Sequence, residues 1–406
     1  MAPAVKRVLV GLQQTELGGS PLNALDLATA IRDRGYDVHV FATYHGREPG
    51  PVADMVRDRN LQLTLVHTRS PGPRRCALFR PRVARALTSV VRSQRIDLVH
   101  AYEPHLILDA FYGPHLLLRT PVLGTWYTMG RISTWLPKHT PLIAGTKEVA
   151  DEARAEGRPC VLIEPPVNTD TDDPGAVDGS EFRRPYRSDT LHVIVSRLHP
   201  DMKQEGIERS IDAMRALPGR LIVVGDGPSR AVLTARAARV NAELGREAVV
   251  MLGPLADPRP AYAAADVVLG MGASALRGMA FAKPLVVLGI GGFSLECTPE
   301  TASHFFREGF YGIGVGRCAP LADQVRRVLA RREELGPWGR KTIVERYGLP
   351  AAADGLERVY QAAAVVPHWA VLRAAACSGA HKFVTEALPG PLRQRVRPLV
   401  RRVFSH

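Results

Sequence analysis

Two basic side chains stand where they could hold a phosphate-rich ligand. Arg197 and Lys203 are six residues apart and follow Leu191–Ser196, an apolar run that predicts a buried strand. A planar guanidinium and a mobile ammonium at the end of a strand can straddle a diphosphate. They can also stabilise negative charge on a departing phosphate without a metal ion. A surface salt bridge is the alternative interpretation.

Glycine-rich turns follow several predicted strands. Gly225, Asp226 and Gly227 form one such turn, and Gly270–Gly272 precedes a helix predicted to begin at Ser274. Glycine lets the backbone approach a ligand closely, and N–H groups at a helix N-terminus attract anions. These residues are therefore candidates for binding a donor, with ordinary turn geometry as the alternative.

Gly18 and Gly19 form a similar turn between the first predicted strand and helix. This turn lacks the G-x-G-x-x-G pattern, and the second strand ends in Phe41-Ala42-Thr43, without an acidic residue for a ribose. A nicotinamide dehydrogenase is therefore disfavoured. The turn is instead a candidate contact for a donor diphosphate or an acceptor.

Acid–base candidates follow the fourth predicted strand. His100, Glu103 and His105 stand there and could orient an acceptor hydroxyl or take its proton. A structural or merely exposed role is the alternative for each histidine. Trp126-Tyr127 follows the next strand, where an aromatic pair suits either stacking on a sugar or core packing.

Strands alternate with helices through both halves of the chain, a pattern that predicts an α/β fold with doubly wound parallel sheets. In the first helix, Ser20 is the expected N-cap and Pro21 the first helical residue. The 406 residues exceed one compact domain. We expect ligands at the carboxyl ends of the strands, facing a cleft between two domains.

The predicted boundaries follow composition. A Rossmann-like, acceptor-side domain spans 1–170, and a polar, Asp- and Gly-rich linker spans 171–189. A Rossmann-like donor-binding domain spans 190–350. Residues 351–406 supply helices and a basic tail that return to the first domain.

The composition indicates which classes of ligand and which cellular compartment to expect. The formal net charge is +13, which favours anionic ligands, but the basic residues are dispersed and lack interleaved aromatics, so nucleic acid is not expected. No run approaches the length of a membrane span, and no signal sequence is recognisable, which predicts a cytoplasmic protein. Five scattered cysteines predict neither a disulfide framework nor a structural zinc site.

The tail from His381 to His406 alternates arginine with apolar residues around Pro398. Such a segment could lie on an anionic membrane surface, placing the protein peripherally on the inner membrane face. A tail that packs along the first domain or is disordered is the alternative.

Several of these motifs together resemble family 4 glycosyltransferases. The resemblance rests on Arg197…Lys203, Gly225-Asp226-Gly227-Pro228, Val250-Met251-Leu252-Gly253, Tyr262…Asp266 and Glu16-Leu17-Gly18-Gly19-Ser20, in the family's order over most of residues 5–365. It implies the GT-B fold, a nucleotide-sugar donor, retention of anomeric configuration and no metal or other cofactor. By position, Arg197 and Lys203 would bind the donor diphosphate, Gly225–Gly227 would lie beside the nucleotide, and the backbone of Leu252 and Gly253 would contact the base.

The chain departs from the family at two glutamates that stand eight positions apart, the second of which binds the donor ribose. Leu269 and Arg277 occupy these positions. A guanidinium cannot accept hydrogen bonds from ribose hydroxyls, so Arg277 could instead bind a phosphate or a carboxylated sugar. Gly289-Ile290-Gly291-Gly292 remains a further candidate for backbone contacts to an anion.

The sequence therefore predicts transfer of a sugar from a nucleoside-diphosphate donor to a hydroxyl acceptor, which could be a glycan, a lipid-linked glycan or a small natural product. Two alternatives stay open. Arg277 is compatible with a catalytically impaired nucleotide-sugar-binding protein. A nucleotide-sugar epimerase shares the architecture but would need carboxylates converging on the sugar.

Overall fold

The computed structural model describes residues 5–68, 79–127, 132–133, 135–186, 190–314, 318–363 and 365–384. The chain forms two compact units. The first comprises residues 1–165 together with the chain from 350 onward, and the second comprises 166–349.

A seven-stranded parallel sheet forms the centre of the first unit. Its strands are β1 (Arg7–Leu12), β2 (Asp37–Tyr44), β3 (Gln62–His67), β4 (Leu98–Tyr102), β5 (Val122–Trp126), β6 (Leu142–Ala144) and β7 (Cys160–Leu162). They lie in the order β3-β2-β1-β4-β5-β6-β7, so the strand order reverses between β1 and β4. The central strands are buried on both faces, as their continuous apolar runs predict.

Helices join these strands: α1 (Gly19–Asp33), α2 (Val52–Asp58), α3 (Pro81–Ser93), α4 (Pro104–Ala110), α5 (Leu116–Leu118) and α6 (Lys147–Ala155), with a π-helical segment at Phe111–His115. The prediction of Ser20 as N-cap is wrong. Gly18 is the N-cap, because the Leu22 N–H donates to the Gly18 carbonyl and the helix begins at Gly19, two residues before Pro21.

The second unit has a six-stranded sheet built from β8 (Leu191–Val195), β9 (Arg220–Val224), β10 (Val249–Gly253), β11 (Val267–Gly270), β12 (Leu285–Leu288) and β13 (Ser294–Cys297). The order is β10-β9-β8-β11-β12-β13. β13 runs antiparallel to β12, which the sequence did not predict, because a tight glycine turn closed by the Gly289 N–H and the Phe293 carbonyl reverses the chain.

The helices of this unit are α7 (Ser180–Arg183), α8 (Gln204–Ala213), α9 (Arg230–Leu244), α10 (Arg259–Ala264), α11 (Ala273–Ala280), α12 (Ala302–Glu308), α13 (Leu321–Ala330) and α14 (Arg332–Arg346). Alternate residues of the strands enter two different cores. In β12, Leu285 and Val287 pack into one, whereas Val286 and Leu288 pack into the other. Helices therefore cover both faces of the sheet, as a doubly wound fold requires.

The segment predicted as a linker packs within the second unit. The side chain of Asp172 is only 5% exposed and pairs with Arg277. Arg183 pairs with Asp266 at 3.0 Å. Residues 171–186 are therefore tied to the second domain by long-range ion pairs.

The last helices, α15 (Leu349–Gln361) and α16 (His368–Lys382), pack against the first unit. Arg34 pairs with Asp354 at 2.6 Å, and the buried Tyr360 contacts His100. The predicted membrane-binding tail lies mostly beyond residue 384, outside the described residues. None of the helices described in this structure is both long and apolar enough to cross a bilayer.

Candidate functional site

The second sheet reverses its strand order between β8 and β11. Ligands of open α/β sheets bind beyond the carboxyl ends of the strands at such a point. The chain leaving β8 carries Arg197 and Lys203, and the chain leaving β11 carries Gly272 and Ser274. The topology therefore brings these predicted residues to the same edge of the sheet.

Buried Leu198 fixes the loop that carries the two cations. Its N–H donates to the Asp226 carbonyl at 2.9 Å, and its carbonyl accepts from the Ser229 N–H at 2.9 Å. Arg197, the preceding residue, is exposed, whereas Lys203 is partly buried at the start of α8. The loop thus presents one solvated and one partly desolvated cation.

Burial, and secondarily the positive charge of Arg197, lowers the pKa of Lys203 to about 8. Within the described part of the chain, neither side chain forms an ion pair or hydrogen bond with an acidic group. The structure thus does not show the surface salt bridge that the sequence left open. Two neighbouring cations, one of them desolvated, form an electrostatically strained arrangement that an anion would relieve.

Gly225 and Gly227 allow two loops to touch through their backbones. A Cβ at Gly225 would lie 1.8 Å from the Ser196 carbonyl oxygen, and one at Gly227 would lie 2.5 Å from that of Leu198. Their φ angles of +137° and +151° also disfavour any other residue. The β9–α9 turn therefore supports the loop of Arg197 directly.

The other residues of this edge are held by local contacts. The exposed Asp226 carboxylate lies 3.5 Å from the Arg230 guanidinium. The Gly253 carbonyl accepts from the Gly225 N–H at 2.8 Å, and the neighbouring Leu252 is 38% exposed. The predicted nucleotide-side residues thus gather at the carboxyl ends of β9 and β10.

The turn between β11 and α11 is held by a hydrogen bond within it and one to Phe310. Gly272, with φ of +60°, is the N-cap of α11, and its N–H donates to the Phe310 carbonyl at 2.6 Å. The Ser274 hydroxyl donates to the Met271 carbonyl at 3.1 Å. Leu269, at the position of the family's first glutamate, is buried within β11 and cannot reach a ligand.

Arg277 faces a carboxylate of its own chain. Its Nε donates to Asp172 Oδ2 at 3.1 Å, and its side chain is 29% exposed. The sequence could not reveal this pair, because the two residues are far apart along the chain. Its binding of a phosphate or a carboxylated sugar stays a prediction.

Glu205 is a residue that the sequence analysis missed. Its carboxylate accepts from the N–H groups of Gly291 and Gly292 at 2.9 and 2.6 Å, and both glycines have left-handed φ angles, +63° and +81°. The glycine turn predicted to bind an external anion therefore holds an internal one. The only signal in the sequence was an acidic residue two positions after Lys203.

In the first unit, the strand order reverses between β1 and β4. Glu103, directly after β4, has φ of +71° and ψ of 149°, a conformation that a residue with a side chain rarely adopts. Such strain costs about 1–3 kcal/mol and is concentrated at functional sites. The exposed His105 follows, and its N–H donates to the side chain of Gln13, after β1, at 3.2 Å. Glu103 and His105 therefore stand where an acceptor could bind.

His100 takes the structural role that the sequence left open. It is fully buried, and its Nδ1 and Nε2 lie 2.7 Å from the Tyr360 hydroxyl and from Thr125 Oγ1, respectively. Burial lowers its pKa to about 3, so the ring is neutral near pH 7. Neither nitrogen is free to meet a substrate hydroxyl in this arrangement.

Two further predictions concern the edge of the first sheet. Gly18 and Gly19 open α1, which has no side-chain cap, and Gly19 is exposed. Trp126 is only 4% exposed and belongs to the core, which favours packing over stacking on a sugar. Tyr127 lies edge-on to Tyr102, with ring centroids 6.2 Å apart.

Among the described residues, no group of three His, Cys, Asp or Glu side chains could hold a metal ion.

Known families match both halves of the chain. The model of Glycosyltransferase Family 4 matches residues 17–171, and that of Glycosyl transferases group 1 matches residues 190–331. No curated protein matches the chain.

Several solved structures share the fold. A glycosyltransferase from Rickettsia africae is 14% identical with a TM-score of 0.68, over 88% of this chain and 98% of that one. Anabaena Alr3699/HepE in complex with UDP-glucose is 16% identical with a TM-score of 0.67, over 88% and 99%. WaaG, a glycosyltransferase involved in lipopolysaccharide biosynthesis, is 14% identical with a TM-score of 0.58, over 87% and 99%.

Proposed function

We propose that this chain, which belongs to the family 4-like glycosyltransferases of the GT-B fold, transfers a sugar from a nucleoside-diphosphate donor to a hydroxyl acceptor with retention of configuration. The two family models support a nucleotide-sugar glycosyltransferase, and the acceptor and the stereochemistry go beyond them. The acceptor class is a glycan, a lipid-linked glycan or a small natural product.

The two cations after β8, the exposed Arg197 and the partly buried Lys203, carry the proposal, because neither is paired with an acidic group of the described residues. A diphosphate between these side chains would relieve the repulsion of two cations and compensate the desolvated ammonium. As the bond between sugar and phosphate breaks, negative charge grows on the leaving diphosphate, and both cations would stabilise it. The UDP-glucose bound in Anabaena HepE supports a donor of this chemical class.

The remaining residues would orient the two substrates. The backbone around Gly225–Gly227 and Leu252–Gly253 would contact the nucleotide, and the turn of Gly272 and Ser274 would approach the sugar-phosphate end. Glu103, with Gly18 and Gly19, would meet the acceptor. We assign no proton transfer to His100, because its two nitrogens are engaged within the core.

A donor-binding protein without turnover is the second candidate. Arg277 and Leu269 replace the family's two glutamates, and Arg277 already pairs with Asp172. Such a protein would bind nucleoside diphosphates through Arg197 and Lys203 but would release no sugar.

A panel of nucleotide sugars with different bases and sugars tests both candidates. The enzyme should release nucleoside diphosphate from at least one donor, slowly with water and faster with a suitable acceptor. Arg197→Ala and Lys203→Ala should each lower this rate at least about 100-fold, because each removes a charge from the leaving group. Lys341→Ala removes an exposed lysine of the same unit and should leave the rate unchanged.

Two results would contradict the proposed activity or the proposed donor site. Thermal stabilisation by a nucleoside diphosphate without release from any donor would favour the binding protein. Normal turnover by Lys203→Ala would show that the donor diphosphate does not lie at this edge of the sheet.

A further inference from the structure

Helix α16 has a buried face and an exposed apolar face. Val371, Ser378 and Lys382 are at most 3% exposed, and the Ser378 hydroxyl donates to the Trp135 carbonyl, which fixes the helix to the first unit. Lys382 also lies over the Trp135 ring, 4.3 Å from its centroid. The orientation of the helix is therefore determined by its packing.

The exposed face carries large apolar side chains at helical spacing. Trp369 is 67% exposed and Leu372 51%, followed by the exposed Ala376, and Phe383, the C-cap directly after α16, is 59% exposed. We name these four residues the α16 stripe. Three exposed large apolar side chains on one side of a helix and its cap are unusual at a soluble surface, so the stripe indicates a surface that something else covers.

The charged side chains of α16, and of the elements that connect it to α3, are all basic. The π-helical segment packs against α3 on one side and continues into α5, which contacts α16. None of these four elements contains aspartate or glutamate. Their exposed charged side chains are arginines, namely Arg82, Arg85 and Arg92 on α3 and Arg373 on α16, and Arg119 is exposed just after α5.

We propose that the α16 stripe, with Arg373 next to Leu372 and Arg119 just after the neighbouring α5, is the surface by which this protein binds an anionic lipid bilayer. Trp369, Leu372 and Phe383 would enter the boundary between head groups and acyl chains, while the arginines contact lipid phosphates. Tryptophan is favoured at this depth because its ring is apolar and its N–H can stay hydrated.

A second copy of the chain is a poorer occupant. In a two-fold dimer the same patch faces itself, so pairing through the stripe would bring the arginines of two copies together without an acidic counterpart on these elements. An anionic bilayer complements both the apolar row and its positive surroundings. Such bilayer binding would not depend on the sugar transferred or on turnover.

Vesicle sedimentation of the full chain tests the proposal. The protein should bind vesicles of phosphatidylcholine mixed with phosphatidylglycerol, more weakly as salt is added, and should not bind pure phosphatidylcholine. The double variant Trp369→Ser/Phe383→Ser should bind at least about tenfold more weakly, because two large apolar anchors are lost. Since the segment after residue 384 is present in every variant, this loss would be due to the stripe.

The matched control is Val232→Ser/Val344→Ser, which removes two apolar side chains that are 53% and 48% exposed in the second unit. It should bind vesicles like the unchanged protein. Both double variants should keep the melting temperature and the stabilisation by nucleoside diphosphate, which separates this proposal from the donor site.

Three outcomes would overturn the proposal. One is equal vesicle binding by the stripe variant and the unchanged protein. Another is equal binding to neutral and anionic vesicles. The third is a dimer in solution that the stripe substitutions dissociate, which would show that a second copy covers the stripe.

Discussion

Replacing Lys203 by methionine should make the protein more stable while abolishing binding of the donor. The pKa of this lysine falls from 10.5 to about 8 in the folded protein, so folding must desolvate a charge that the unfolded chain leaves in water. At about 1.4 kcal/mol per pKa unit, the cost at pH 7 is about 3 kcal/mol. Methionine preserves the length and apolar stem of the side chain without the charge.

The pH dependence gives the sharper measurement. Below pH 8 the lysine is charged in both states and the full cost applies. As the pH rises from 8 to 10.5, the folded protein loses the proton first, and at pH 9.5 the difference should fall to about 1.4 kcal/mol. Urea unfolding of Lys203→Met and of the unchanged protein at pH 7 and 9.5 measures both values, and a nucleoside diphosphate should no longer raise the melting temperature of the variant.

Lys341→Met is the control, because the side chain of Lys341 is 73% exposed and lies 3.9 Å from Glu345. Its unfolding free energy should change by less than about 0.5 kcal/mol. If Lys203→Met were no more stable than the unchanged protein, the lysine would not be desolvated. The electrostatic argument for an anion at this position would then fail.

Four further outcomes are expected. The affinity for nucleoside diphosphate should be nearly constant between pH 7 and 8, where the ligand's phosphates are ionised. Above pH 8 it should fall by up to about tenfold per pH unit, because the free protein then loses the Lys203 proton; calorimetric titration at several pH values measures this. Gly225→Ala should lower the free energy of unfolding by more than about 2 kcal/mol and weaken nucleotide binding. In the same unfolding assay Gly245→Ala should lower it by only about 1 kcal/mol, because Gly245 has a left-handed φ but open space around it. Acid should destabilise the fold, because burial lowers the pKa of His100 from 6.5 to about 3 and that of His139 from 6.5 to about 4. As the pH falls, the unfolded chain therefore binds these protons before the folded protein does, and each histidine should lower the free energy of unfolding by about 2–3 kcal/mol between pH 6.5 and 4.5. Urea unfolding across this pH range measures the loss. Arg277→Glu should place a second carboxylate beside the buried Asp172 and lower the free energy of unfolding by about 3 kcal/mol. Adding Asp172→Asn should recover part of this loss. Additive effects of the two substitutions in a double-mutant cycle would contradict the pairing.

The sequence predicted those features that local patterns determine. Buried parallel strands are continuous apolar runs, so the strand predicted at Leu191–Ser196 matches β8, Leu191–Val195, to within one residue. The positions of Arg197 and Lys203 follow from the strand that precedes them. The confirmed GT-B fold and family rest on the same succession of elements and motifs.

Long-range pairing explains what the sequence did not provide. Residues 171–189 are polar and resemble a linker, yet Asp172 is buried because Arg277, 105 residues later, neutralises it. His100 looked like an acid–base group because nothing near it in sequence reveals Tyr360. The strained backbone of Glu103 depends on how β4 passes into α4, which residue types alone do not specify.

The direct backbone contact of the Gly225 and Gly227 turn with the loop of Arg197 has a consequence for affinity. Because the loop is already fixed in the folded chain, a ligand need not restrict its backbone on arrival. Substrate recognition there should be lock-and-key, with only the lysine and arginine side chains losing rotational freedom. Mutations that loosen this contact, even on its far side, should therefore speed up ligand dissociation without removing any group that touches the ligand.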